Sequence, residues 1–154
     1  MEEGSNQDEV EVRIEGLVYL AGPMTRRVEY NKTEFNRAAK AIVELVPELH
    51  VVTPFSANNI VWQLREGRDF IPATDACEYG DEAMREILFE DFRILFRASR
   101  IFLMHDWYLS RGATIEAIIA GALGIPLYIL TEDLLGYVGP FSTVTLGAIT
   151  INND

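Results

Sequence analysis

Four short apolar segments, separated by stretches with helical spacing, constrain the fold of this chain most strongly. Each segment is bounded by glycine, proline or polar residues, as is typical of buried strands, and they cover residues 17–20, 49–52, 100–104 and 126–130. Helices are predicted between them, from about Asn31 to near Pro47 and over residues 81–98 and 112–123. Strands that alternate with helices form parallel βαβ units. The sequence therefore predicts an α/β protein with an open, doubly wound, mainly parallel sheet of four to five strands, Rossmann- or flavodoxin-like, in three layers.

Two other regions are less regular. Residues 55–80 show no sustained period: residues 58–66 predict a short helix, and an irregular insert of this length often forms a lid or a subunit contact. Residues 143–151 are strand-like. We expect an acidic flexible tail over residues 1–12 and a single domain over residues 13–154.

The balance of charge limits the partners of the chain. The formal net charge is −11, and nucleic-acid polymers are bound through many Lys and Arg contacts to phosphate. This charge argues against a polymer as partner. It still allows a mononucleotide, because one or two cations and a few backbone N–H groups are enough to bind one.

Residue content also limits cofactors and location. Cys77 is the only cysteine, so no intrachain disulfide can form, and we expect a cytoplasmic protein. No apolar run reaches the ~18 residues of a membrane span, and the acidic N-terminus does not resemble a secretory signal. The two histidines are far apart, and neither a P-loop nor a GxGxxG motif is present. We therefore expect no metal, no cofactor and no membrane partner.

The segment from Ser110 to Glu116 carries the clearest chemical signal. It follows the apolar run 101–104 and predicts a polar turn, then an apolar helix with a glutamate in about its first turn. In an open α/β sheet this is the mouth of the ligand crevice. Helix N–H groups and the macrodipole would hold such a carboxylate ionised, ready to attack an electron-poor carbon. The alternative is a glutamate that only complements the helix dipole.

Three motifs occur together in this order along the chain. Tyr19-Leu20-Ala21-Gly22-Pro23-Met24 closes the first predicted strand, Glu90-Asp91 precedes the third, and Ser110, Gly112 and Glu116 follow it. This set resembles the nucleoside 2-deoxyribosyltransferase-like superfamily over roughly residues 17–130, and within it the nucleotide N-glycosidases and small phage and bacterial members. The resemblance implies a homodimer or higher homo-oligomer.

The resemblance also implies roles for individual residues. Glu116 would be the nucleophile that attacks the anomeric carbon, Asp91 would lie near the sugar and the base, and Tyr19 would contact the nucleophile and the substrate. Ser110 matches a phosphate-binding serine of the nucleotide hydrolases, which favours a 5'-monophosphate. Arg26, with Arg27, would add a cationic contact to that phosphate.

Other residues are candidates for substrate binding. Gly22 and Gly112 allow a close backbone approach to a ligand, and Pro23 and Met24 complete the first motif. Asp91 and Asp106 are the two candidates for supplying the proton that the leaving base needs, and the alternative for Asp106 is that it only caps a turn. Trp107, like Tyr108, offers a flat ring on which a base can stack, or a packing or dimer contact. Ser110 has a second interpretation as a helix cap.

These expectations lead to one activity and one alternative. The predicted activity is cleavage of the N-glycosidic bond of a (deoxy)nucleoside 5'-monophosphate through a glutamate nucleophile, which releases the free base to water or passes the sugar to a second base. Two carboxyl groups about 5 Å apart would support a covalent glycosyl intermediate. The alternative is a non-catalytic module that binds a nucleotide or a nucleotide-derived signal on the same fold.

Overall fold

The computed structural model describes residues 14–24, 27–72 and 81–141, along which strands alternate with helices. The strands are β1 (Ile14–Ala21), β2 (His50–Val52), β3 (Ala98–Leu103), β4 (Leu127–Leu130) and β5 (Tyr137–Phe141). The longer helices are α1 (Lys32–Leu45), α2 (Pro54–Glu66), α3 (Asp81–Arg97) and α4 (Arg111–Ala122), and short 3-10 turns cover Val28–Asn31 and Trp107–Leu109. None of the helices in these ranges is long and apolar enough to cross a membrane.

One five-stranded sheet joins the strands in the order β2-β1-β3-β4-β5. β1 pairs in parallel with both β2 and β3, and β3 pairs in parallel with β4, whereas β5 runs antiparallel to β4. Residues 18–21 of β1 lie beside residues 100–103 of β3 in the middle of the sheet. The predicted open, mainly parallel α/β sheet is confirmed.

Helices cover both faces of the sheet because successive residues of the central strands point in opposite directions. Tyr19 of β1 belongs to a buried cluster that includes Ala117 of α4 and residues of α3. Its neighbour Leu20 belongs to a second cluster with Phe35 of α1 and Phe102 of β3. The result is the three-layer arrangement that the strand–helix alternation predicts.

The helix ends follow local sequence signals. Pro54 occupies the first turn of α2, where its missing N–H costs nothing, and Gly67 closes that helix in the left-handed region at φ 74°. α2 therefore starts four residues before the short helix predicted over residues 58–66. In α4, Ser110 is the N-cap, and its side chain accepts a hydrogen bond from the Ala113 amide.

The edge of the sheet departs from the prediction. β5 contains Gly139 and Pro140, residues that are depleted in strands, and among the described strands it pairs only with β4. Proline is tolerated on an edge strand because one of its sides makes no ladder hydrogen bonds. The predicted tail over residues 1–12 and the strand-like stretch 143–151 lie outside the described residues, so both stay predictions.

Candidate active site

The candidate active site lies at the carboxyl ends of β1 and β3, where the chain leaves β1 and enters α4. A cavity of about 190 Å³ opens there, in the position where open α/β sheets bind ligands. It is lined by residues singled out from the sequence, namely Gly22, Met24, Asp91, Ser110, Gly112 and Glu116. Pockets for drug-sized ligands run to roughly 300–1,000 Å³. A ligand of that size would therefore project through the mouth of this cavity.

Glu116 and Tyr19 form a buried hydrogen-bonded pair at the base of the cavity. The Tyr19 hydroxyl donates to Glu116 Oε2 over 2.7 Å, although the two residues are 97 positions apart in sequence. Tyr19 is fully buried and Glu116 is 6% exposed. β1 and α4 converge there because the strands that precede the two loops are neighbours in the sheet. The resemblance-based pairing of Tyr19 with Glu116 agrees with this contact.

The position of Glu116 along α4 corrects one expectation. Glu116 is the sixth residue of α4, and no acidic residue lies in the first turn of that helix. The macrodipole acts over the first turn and does not hold this carboxylate ionised. Instead, burial raises the pKa of Glu116 to about 7, and the hydrogen bond from Tyr19 opposes that rise.

Asp91 faces the same cavity from α3. Burial raises the pKa of Asp91 to about 8, and repulsion from Glu116 adds to the rise. The pKa of Tyr19 lies well above its usual value, first through burial and then through the Coulomb effect of Glu116, so its hydroxyl remains a donor. The side-chain Oδ1 of Asp91 is buried and has no hydrogen-bond partner among the described residues. Burial thus favours the protonated, uncharged form of each of these three groups.

The two glycines of the site differ in the space around them. A Cβ at Gly22 would lie within 2.8 Å of Met104 Cγ, so Gly22 is needed for packing against Met104 and does not simply provide an approach for a ligand. A Cβ at Gly112 would meet only Ser110 Oγ at 3.9 Å, so this position has room. Close backbone approach is therefore a property of Gly112 more than of Gly22.

Ser110 is a helix cap, as one of its two interpretations has it, and its phosphate-binding role stays a prediction. Its Oγ accepts a hydrogen bond from the Ala113 amide over 3.1 Å, which caps α4. The residue also lines the cavity, next to Gly112. The first N–H groups of a helix have no partner within it, so the start of α4 presents donors near the mouth of the cavity.

Other residues predicted to bind substrate lie elsewhere. Asp106 pairs with Arg27 over 3.1 Å and lines a neighbouring hollow with His105 and Glu132, not the cavity of Glu116. Trp107 is 2% exposed within the core cluster of Tyr19, so its ring faces are covered by protein and unavailable to a base. The burial of Trp107 favours its packing alternative over stacking on a base. The proton-transfer role of Asp106 stays a prediction, which its place in the neighbouring hollow does not favour.

Pro23 has a structural role in the loop after β1, whereas Arg26 is not described by the structure. The carbonyl oxygen of Pro23 accepts a hydrogen bond from Asn31 Nδ2 over 2.9 Å, which ties the turn after β1 to the start of α1. Pro23 thus shapes the loop next to the cavity. Arg26 lies outside the described residues, and its contact with a phosphate stays a prediction.

Half of the cavity wall was not identified from the sequence. Tyr30 is brought there by consecutive left-handed residues, with φ values of 48°, 56° and 69° at Glu29, Tyr30 and Asn31. Such backbone strain gathers at functional sites. The other unanticipated lining residues come from helices or follow a motif residue: Pro54, Asn58, Ile87, Leu88 and Ala113.

The charge of the site is one-sided. Among the described residues that line the cavity, Asp91 and Glu116 are acidic and none is basic. No group of His, Cys, Asp and Glu side chains in the described part of the chain is arranged to hold a metal ion. The arrangement is suited to proton transfer and to attack by a carboxylate.

Comparison with known proteins places the chain in a family and supports the fold. The family described as "Domain of unknown function (DUF4406)" matches residues 17–129. No curated protein matches the chain. A conserved protein from Enterococcus faecalis V583, solved by crystallography, is similar over 74% of this chain with 19% identity and a TM-score of 0.51. This chain spans 62% of the length of that protein, and the similarity concerns the fold alone.

Proposed function

This chain belongs to the DUF4406 family, and we propose that it is an enzyme that cleaves the N-glycosidic bond of a nucleoside 5'-monophosphate and releases the free base. The observation that carries the proposal is a pair of buried carboxyl groups, Asp91 and Glu116, that line one cavity, with Tyr19 hydrogen-bonded to Glu116. These are the residues assigned to the reaction by the resemblance to the nucleoside 2-deoxyribosyltransferase-like superfamily.

The environments of the two carboxyl groups suggest different roles. Tyr19 donates a hydrogen bond to Glu116, which favours the ionised form of that group. Burial raises the pKa of both groups, and repulsion from Glu116 adds to the rise at Asp91. When the surroundings of two nearby carboxyl groups differ, the one held ionised serves as nucleophile and the one kept protonated as acid. Near neutral pH we therefore assign the nucleophile to Glu116 and the proton donor to Asp91.

The proposed reaction proceeds by two displacements. In the first, a carboxylate oxygen of Glu116 bonds to the anomeric carbon as the C–N bond breaks. The electron pair of the C–N bond stays with the base, which takes the proton of Asp91. In the second, water bonds to the same carbon and returns a proton to Asp91, and the ester bond to Glu116 breaks. The products are the free base and a sugar phosphate.

The start of α4 supports a phosphorylated substrate. Ser110 and Gly112 line the cavity beside the free N–H groups of that helix, an arrangement that favours anions. With two carboxyl groups and no described basic side chain on the wall, the phosphate has to be held away from Asp91 and Glu116. A 5'-phosphate projecting through the mouth meets that condition.

Base release tests the proposal directly. The protein is incubated with the common ribo- and deoxyribonucleoside 5'-monophosphates, and free base is measured by chromatography. We expect release by the wild type, loss of at least about a thousandfold in Glu116→Gln, and no loss in Glu44→Gln, an exposed position on α1. Equal release by Glu116→Gln would reject the proposal. Tight binding of nucleotide without release would instead support a binding module.

A further inference from the structure

Asn58 carries a buried side-chain donor without a partner among the described residues and belongs to the wall of the cavity. It lies on α2, one turn after Pro54, and is 2% exposed. Its side chain lines the same cavity as Asp91 and Glu116. Its Nδ2 is buried and has no hydrogen-bond partner among the described residues.

A buried amide donor without a partner is costly to the folded state. Folded proteins satisfy nearly all such groups, so an exception requires an explanation. The neighbouring Asn59 is exposed and serves the fold, since its Oδ1 accepts a hydrogen bond from the Phe70 amide over 3.0 Å. Asn58 is buried and belongs to the wall of a cavity, where a ligand can supply the missing acceptor.

The surroundings of Asn58 indicate which part of a ligand lies there. The neighbouring lining residues are apolar, with Pro54 on its own helix and Ile87 and Leu88 on α3. A sugar ring with several hydroxyl groups requires more polar partners than this wall offers. A nucleobase has two apolar faces and hydrogen-bonding atoms only along its edge, so an apolar wall that carries the Asn58 amide fits it.

The order of the helices agrees with this placement. α3 packs against both α2 and α4. Asp91 lies on α3 one turn after Ile87, and the phosphate-favouring Ser110 is the N-cap of α4. The wall of the cavity therefore combines the start of α4, the two carboxyl groups and the apolar residues beside Asn58.

We infer that Asn58 recognises the base, its Nδ2 donating a hydrogen bond to an acceptor atom on the base edge, either a ring nitrogen or a carbonyl oxygen. This inference rests on the proposed function and adds the orientation of the substrate to it. Asn58 is a specificity-determining residue that holds the base against the wall of Pro54 and Leu88. The leaving nitrogen is thereby positioned beside Asp91.

The test compares binding of two ligands to matched variants. All proteins carry Glu116→Gln so that nucleotide is not consumed, and binding is measured by isothermal titration. The ligands are the nucleoside 5'-monophosphates and ribose 5-phosphate, which lacks a base. Asn58→Leu keeps the approximate size of the side chain and removes the donor, and Asn59→Leu is the control.

Asn58→Leu is expected to weaken nucleotide binding about tenfold and to leave binding of ribose 5-phosphate unchanged. Its melting temperature should stay the same or rise, because an unpaired buried amide is removed. Asn59→Leu should lower the melting temperature and leave nucleotide binding unchanged, because its amide serves the fold.

Other outcomes overturn the inference. Equal nucleotide binding by Asn58→Leu overturns it and leaves the proposed function standing. An equal loss for both ligands overturns it by placing Asn58 at the sugar. If Asn58→Leu does not fold, Asn58→Ser is measured in its place with the same outcomes. If the protein that carries Glu116→Gln alone binds no nucleotide, the inference about Asn58 is overturned as well. Base release by the wild type decides the proposed function separately.

Discussion

Replacing Glu116 with glutamine should stabilise the protein at alkaline pH while it abolishes catalysis. Glu116 is buried, and its pKa in the folded protein is about 7, against 4.5 for an ordinary glutamate. Between these values the unfolded chain has released a proton that the folded chain still holds. The free energy of unfolding therefore falls as pH rises through this interval, and the contribution is lost above pH 7.

The size of the effect follows from the same two values. One pKa unit corresponds to about 1.4 kcal/mol, so the difference between 4.5 and about 7 amounts to about 3 kcal/mol at pH 9. Because Glu116 is only 6% exposed, solvent screening does not reduce this figure much. Glutamine carries no charge and still accepts the hydrogen bond from Tyr19. Its presence also removes the Coulomb repulsion that raises the pKa of Asp91, which adds stability in the same direction.

Urea unfolding at pH 4.5 and pH 9 measures the effect, with the fluorescence of the buried Trp62 and Trp107 as the signal. The two proteins should differ little at pH 4.5, and Glu116→Gln should be more stable by about 3 kcal/mol at pH 9. Glu44→Gln, at an exposed position, should match the wild type at both values. A difference that is the same at both pH values, or a variant less stable than the wild type at pH 9, would refute the reasoning.

The remaining predictions concern the proton pair, the tyrosine and the packing of Gly22. The value of kcat/KM should rise with pH through about 7 as Glu116 ionises and fall through about 8 as Asp91 loses its proton, which a pH profile of base release would show. Tyr19→Phe should move the acidic limb of that profile to higher pH and lower kcat/KM by roughly ten- to a hundredfold, because Glu116 loses its hydrogen bond. Tyr137→Phe, on the sheet edge, should change neither the profile nor kcat/KM. An acidic limb that stays in place in Tyr19→Phe would contradict the role of Tyr19. Gly22→Ala should destabilise the protein by about 1–3 kcal/mol in urea unfolding, because its Cβ would overlap Met104, while Gly136→Ala has open space and should be nearly neutral.

Much of the fold follows from the sequence because hydrophobic spacing reports burial. The runs at residues 17–20 and 100–104 are continuous rather than alternating, as expected for strands covered on both faces. β5 was not predicted from hydrophobic spacing, because it lies at the edge of the sheet, is mostly exposed and contains Gly139 and Pro140. Its place in the sheet depends on pairing with β4, which no local pattern reports.

The centre of the site was predictable and its chemistry was not. Neighbouring parallel strands end at one edge of the sheet, so Tyr19 and Glu116 meet although they are far apart in sequence. Whether a carboxyl group is solvated or buried depends on the completed packing, so the raised pKa of Glu116 reverses the expectation drawn from the helix dipole.

Residues outside the motifs were harder to assign. Trp107 was interpreted as a stacking platform because it follows β3, but it turns into the core. Asn58 lies in a segment with weak periodicity, and a single asparagine on a helix carries no sequence signal for a cavity. Tyr30 depends on left-handed backbone at three successive residues, which sequence patterns rarely indicate.

The stereochemistry of base release tests the central claim, that Glu116 bonds to the sugar, most directly. With methanol as a competing acceptor, the configuration of the methyl glycoside formed from a β-nucleoside 5'-monophosphate can be read by NMR before any mutarotation. Two displacements retain configuration, so the account predicts the β product. An α product, which direct attack by solvent would give, would contradict it.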